Sequence, residues 1–308
     1  MNVQQYDRVD RLQGRWTYAG QPVPVKEEFK YLGVIMHCTK GVSAAVPALA
    51  AAGKRAMWAM LHRISKVDIQ SLQQKVSLFD TLVSPILCYC SEVWGPGQMC
   101  GSLRSDGMLG NILQGVQLMF LRYIAGGVRK STPRLLLLRE FGCKPIVRSW
   151  LRASVVLWNR AVGAGEDSLM HQCMLENWSL QSDMRGEVKL WCREFEKVLQ
   201  HIGYDSGSLV RPVAGQERLQ RLNVGLVLSK FDSWFLQKWQ DLPLNPRLAS
   251  SSQVLYSVYD RWFAPQAMSD IAEPERYSIC PAFVARTAGI RHMLLHYCVS
   301  GLVLMTCR

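Results

Sequence analysis

The chain has no Tyr-x-Asp-Asp box, no Walker-type Gly-Lys-Ser/Thr loop, no Gly-x-Gly-x-x-Gly fingerprint, no His-Glu-x-x-His and no Gly-x-Ser-x-Gly. These absences remove, in turn, the paired carboxylates of a two-metal polymerase, a triphosphate cradle, a dinucleotide turn, a zinc-peptidase helix and a hydrolase nucleophile elbow. Its adjacent acids, Glu27-Glu28 and Glu166-Asp167, read as solvated charge. No motif calls for a cofactor. Cys-x-x-Cys is missing too, and Cys88-Tyr89-Cys90 places its thiols on different sides of a helix, which makes a poor chelate. The ten cysteines therefore read as reduced core thiols of an intracellular protein, in cytoplasm or nucleus. Met1 to Gly20 has no apolar leader region, and no run approaches the roughly eighteen apolar residues that span a bilayer, so no membrane partner is expected.

Acidic charge is the other shortage. Lysine and arginine number 36 against 24 aspartates and glutamates, a net charge of +12, in a chain of 308 residues. Between residues 101 and 160 the imbalance is steepest: ten basic side chains face only Asp106 and Glu140. Such an excess implies a polyanionic partner. Hydrophobic residues make up 49%, with ten tryptophans, enough to bury a core, and the length predicts two or three packed units.

Periodicity then divides the chain. Met1 to Arg15 is polar. Trp16-Thr17-Tyr18 and Val23-Pro24-Val25 read as short strands around Ala19-Gly20-Gln21-Pro22, and Glu28 to Ile35 reads as a β-turn-β tip bending at Gly33. From Ser43 the period becomes helical, with Val46, Leu49, Ala50, Gly53, Met57, Met60, Leu61 and Ile64 on one stripe and Lys54, Arg55, His62 and Arg63 off it. Asp68 is the expected cap of a second helix carrying Ile69, Leu72, Val76, Phe79 and Val83, which Pro85 stops or kinks. Gly95-Pro96-Gly97 predicts a stop, and Gln98 to Gly110 a connection. Ile112 to Ile124 is helical, with Leu113, Val116, Phe120 and Tyr123 on its inner side. Thr132-Pro133 starts and Gly142 stops a short helix, and Ile146 to Val162 buries Val147, Leu151, Val155 and Trp158 while stacking Arg148 and Arg152 one turn apart. Glu176 to Gln200 and Gln216 to Gln240 are expected helices, and His292, His296, Cys298 and Cys307 lack zinc-knuckle spacing.

Three stretches carry a resemblance. Phe29-Lys30-Tyr31-Leu32-Gly33-Val34 is the first. Leu78-Phe79 with Val83, Pro85, Leu87, Tyr89, Glu92 and Trp94-Gly95 in fixed register is the second and most specific. Lys130-Ser131-Thr132-Pro133 with Glu140-Phe141-Gly142 and Pro145 is the third, Phe141 standing where the pattern has leucine. Together they resemble the end of the palm and the thumb of reverse transcriptases from non-LTR (LINE-type) retrotransposons, over residues 16 to about 160.

The resemblance implies a truncated reverse-transcriptase-like protein that lacks the polymerase carboxylates and is limited to binding RNA or DNA, non-specifically and with salt dependence. In that family the hairpin tip steadies the primer end. The expected fold is mainly α: a small N-terminal β-hairpin region, a helical thumb-like bundle and a further helical region. The expected divisions are a palm remnant at 1–38, the thumb-like bundle at 39–97, a basic helical region at 98–165 and a C-terminal helical region at 166–308. Nucleic-acid contacts are expected from Lys30, Tyr31, Leu32, Gly33, Lys54, Arg55, Arg122, Arg129, Lys130, Arg148 and Arg152. Arg122, Arg129, Lys130, Arg148 and Arg152 are expected to share one face. A palm-containing polymerase is the implied protein partner. Two other readings stand beside this one: a helical protein-interaction scaffold, and a decayed open reading frame without function.

Overall fold

The computed structural model describes residues 17–106, 108–128, 134–183, 190–205, 207, 209–213 and 216–240. The segment Lys130-Ser131-Thr132-Pro133 and the candidates His292, His296, Cys298 and Cys307 lie outside the described residues. A small strand region leads into an extensive helical bundle, as the periodicity predicts.

Strands β1 (Thr17–Tyr18) and β2 (Gln21–Pro22) pair around Ala19 and Gly20. The second strand begins earlier than Val23 because these two residues, at φ 49° and 75°, complete the turn by themselves. Strands β3 (Glu28–Tyr31) and β4 (Val34–His37) form the expected hairpin, with Tyr31 opposite Val34 and a two-residue turn of Leu32 and Gly33. Val34 is buried and Ile35 packs partly against the core, whereas all of β3 is exposed.

Helix α1 (Ala45–Lys66) buries the whole predicted stripe from Val46 to Ile64. Helix α2 (Leu72–Leu82) is capped by Ser71, not Asp68. The Ser71 side chain accepts from the Gln74 amide in extended geometry, while Asp68, at φ 54°, serves the turn leaving α1. The break at Pro85 is real: Val83 is fully buried between α2 and the single turn α3 (Ser84–Leu87).

The expected stop at Gly95-Pro96-Gly97 is overturned. Helix α4 runs through it, from Ser91 to Asp106, carrying the chain across the expected division at 97 and replacing most of the expected connection. The reason lies in distant partners. A Cβ on Gly95 would stand 3.4 Å from Trp150, and one on Gly97 only 2.8 Å from the Glu194 carboxylate, so the missing side chains let α4 press against its neighbours. Pro96 offers no amide to the Glu92 carbonyl four residues back. Trp191 Nε1 donates to that carbonyl at 2.9 Å instead.

Helices α5 (Ile112–Ile124), α6 (Arg134–Glu140) and α7 (Val147–Gly163) follow the predicted pattern. Asn111 caps α5, and the α6 chain closes at Gly142, where the Cys143 and Gly142 amides return to Leu138 and Arg139. Val147, Leu151, Val155 and Trp158 are all sealed from solvent. The single helix expected from Glu176 to Gln200 is two, α8 (Leu169–Asp183) and α9 (Trp191–His201).

Gln216 to Gln240 also differs from expectation. Its first part is strand β6 (Gln216–Leu219), antiparallel to β5 (Val210–Val213), and only Val224–Gln240 is helix, α10. Helix α7 holds the intervening chain extended. Trp158 Nε1 donates to the Gln220 carbonyl, and the Asn159 amide both donates to and accepts from the backbone of Leu222. Asn223 then accepts from the Leu226 amide at the start of α10.

Helix α1 packs on α2, α3 and α5, while α4 lies between α7 and α9, and α7 also carries α8 and α10. One contiguous cluster of buried residues extends from Val34 to Phe235, with Trp94 edge-on to Trp150 at 5.0 Å and Phe79 stacked on Phe120 at 4.4 Å. Cysteines distribute more widely than expected. Cys143 and Cys192 are buried, Cys88, Cys90 and Cys100 half-buried, and Cys38 and Cys173 exposed. Burial pushes the Cys88 and Cys192 thiols up to about 12. Among the described residues no helix is long and apolar enough to cross a membrane.

Replacing Trp191 by Phe keeps the packing and removes the donor to Glu92, which is expected to cost about 1 kcal/mol in urea unfolding. In a Pro96→Ala background the helix regains its own donor, so the same replacement is expected to cost less. Equal costs in both backgrounds would show that the indole does not compensate for the proline.

Candidate nucleic-acid interface

The hairpin tip and the helix that receives it come from two separate motif stretches, and they touch. The left-handed φ of Leu32, 45°, is unfavourable for a residue with a β-carbon, by about 1 kcal/mol. Gly33, at 86°, adopts it freely. Tyr89, in the link between α3 and α4, meets both. Its hydroxyl donates to the Leu32 carbonyl at 2.5 Å, and its ring lies where a Cβ on Gly33 would make van der Waals contact at 3.5 Å. The Tyr89 carbonyl in turn accepts from Trp94 Nε1 at 2.8 Å, so the tip is linked to the core by one short chain of hydrogen bonds.

The other fixed positions of that stretch also meet partners. Phe79, Val83, Leu87 and Trp94 are buried, Leu87 fills the space beside Gly53 of α1, Glu92 receives Trp191, and Gly95 admits Trp150. What the tip presents outward is Lys30, Tyr31 and Leu32, all exposed, with Phe29 on the same side as Tyr31.

Lys54 and Arg55 sit on the outer side of α1, the first half-buried and the second exposed. Neither α1 nor α5 contains an acidic residue. Arg122, near the end of α5, is half-buried; burial, with a smaller push from Arg134, holds its guanidinium below the ordinary arginine range. Tyr123 is exposed, contrary to its expected inner position, because the buried stripe of α5 follows Leu113, Val116, Phe120 and Leu121.

Arg148 is committed within the chain. Its Nε and a terminal nitrogen grip the two carboxylate oxygens of Asp232 on α10 at 2.7 and 2.9 Å, and Lys144 Nζ joins at 3.2 Å. This bidentate geometry occupies one donor edge of the guanidinium and sets its charge against Asp232. Arg152, one turn on, is exposed. Arg129 and Lys130 lie outside the described residues.

Sequence reasoning missed Trp58. It stands off the apolar stripe of α1, is exposed, and meets the Tyr123 ring edge-on at 5.3 Å. A large aromatic outside the buried stripe of an acid-free helix was the available signal. Neither a protein-family model, nor a curated protein, nor a solved structure matches this chain.

Tyr89→Phe is expected to speed amide hydrogen exchange across residues 28–37 while leaving the helical circular dichroism unchanged, since it removes one hydrogen bond worth about 1 kcal/mol at the tip alone. Unchanged exchange there would mean the hydroxyl does not hold the hairpin. For the Arg148–Asp232 pair, each single replacement by Ala is expected to destabilise by about 2 kcal/mol, the scale of a charge-assisted hydrogen bond, and the double replacement by less than the sum. Additive losses would show the two side chains to be energetically independent.

Proposed function

We propose that this chain is a reverse-transcriptase-like protein of the non-LTR retrotransposon type whose described part binds nucleic acid through the hairpin tip and the basic faces of its helices. One observation carries the reading. Two of the stretches that resemble that family are in direct contact through Tyr89, Leu32 and Gly33, residues more than fifty positions apart. A motif whose parts meet in space is better explained by a shared junction than by chance matches. The charge distribution supports it as well, since α1 and α5 carry basic residues and no acid.

The chemistry is binding, not phosphoryl transfer. Exposed Lys30, Arg55 and Arg152 and half-buried Lys54 supply cations for phosphates, and Tyr31 offers a ring at the tip. Arg148 contributes through the fold, by fixing α10 on α7.

Fluorescence anisotropy of the full chain with labelled single-stranded RNA and DNA tests this across ionic strengths. Log affinity is expected to fall linearly with log salt, and the Lys54→Ala/Arg55→Ala double variant to flatten the slope by about two. A control pair on other helices, Lys197→Ala/Lys230→Ala, is expected to change it little. No measurable binding at low salt overturns the reading, and equal losses in both double variants reduce it to diffuse attraction.

A further inference from the structure

Helix α1 carries one row at four-residue spacing: Lys54, Trp58, His62 and Lys66, with Arg55 beside it. Every member is exposed except half-buried Lys54. Trp58 is 48% exposed and its partner Tyr123 on α5 is 52% exposed, although both belong to helices with ample buried surface. Their rings meet edge-on, 88° apart, and about half of each residue stays open to solvent. Large apolar side chains held in this way on a surface point to a ligand when the surrounding charge names one. Here it does, because α1 and α5 together hold Lys54, Arg55, Arg63, Lys66 and Arg122 and not one acid.

We propose that Trp58 and Tyr123 form a base-stacking platform for single-stranded nucleic acid, with Lys54, Arg55 and Lys66 along the same helix taking the phosphates. This rests on the nucleic-acid reading above and deepens it, adding a strand type and an aromatic pair, Trp58 and Tyr123, to the basic residues already expected there. Ring faces accept any base, so the platform selects unstacked strands over duplex and shows little sequence preference. A duplex keeps its bases stacked inside and offers α1 only phosphates. Alternating aromatic and basic side chains suit a polyanion with planar groups and suit an acidic protein surface less well, since that surface has nothing to lie on the rings.

The test compares two strands of equal charge, oligo(dT) and an abasic strand of the same length, with the full chain. The parent is expected to bind oligo(dT) about tenfold more tightly, the scale of one stacked base. Trp58→Ala is expected to erase that preference while leaving the salt slope unchanged, Trp58→Phe to restore part of it, and Lys54→Ala/Arg55→Ala to lower the slope while keeping the preference. Tyr123→Ala gives the same readout from a second helix if Trp58→Ala proves unstable in a melting experiment. Equal affinity of the parent for both strands overturns the platform and leaves general phosphate binding standing. Binding to neither strand overturns the broader reading and the platform with it. A preference that survives both Trp58→Ala and Tyr123→Ala places stacking elsewhere and overturns this site.

Discussion

Pro96 cannot give the Glu92 carbonyl the amide hydrogen that an α-helix supplies, and the remedy for that deficit ties three helices together. Trp191, on α9, reaches the vacant carbonyl with its indole nitrogen. That reach requires α9 to lie close to α4, which the bare surface at Gly97 permits. On the other side of α4, Gly95 lets Trp150 of α7 approach, and the Trp94 and Trp150 rings pack edge to face. Three residues with weak helix propensity thus form a close helical contact, because local conformational cost is offset by burial of large rings.

The same contact sets the position of the hairpin. Trp94, gripped by Trp150, donates to the Tyr89 carbonyl, and Tyr89 donates to Leu32. Two hydrogen bonds and one pair of rings thus connect α7 to a turn far away in the sequence. Outside this line the hairpin has modest support: Val34 buried, Ile35 partly so, and the whole of β3 in solvent. The exposed face of α1, where Trp58 and Tyr123 meet, belongs to the other half of the bundle, held by α2, α3 and α5.

Local pattern was enough wherever one stripe of residues decided the structure. The α1 stripe, the α7 stripe and the hairpin bending at Gly33 were legible because local spacing and turn chemistry decide them. It failed where the deciding partner lies far along the chain. Gly95-Pro96-Gly97 has turn chemistry when read alone, and only Trp150, Glu194 and Trp191 make it helical. Strand β6 carries helix-compatible residues, yet Trp158 and Asn159 capture the backbone just after it. Arg148 looked like a solvent-facing cation because its partner, Asp232, is 84 positions away. Asp68 lost the cap to Ser71 because the turn leaving α1 takes an extra three residues.

The β3–β4 ribbon is closed at its base and tied to the bundle at its tip. At its base the Cys38 amide bonds to the Glu27 carbonyl, and His37 and Gly41 bridge to one another; at its tip Tyr89 holds Leu32. A ribbon fixed only at the base would swing like a flap, sweeping its tip through a wide arc. One held at its tip as well is constrained there by the Tyr89 hydrogen bond. The exposed side chains of Lys30 and Tyr31 are thereby placed relative to the helices, as a ruler is read against a fixed stop.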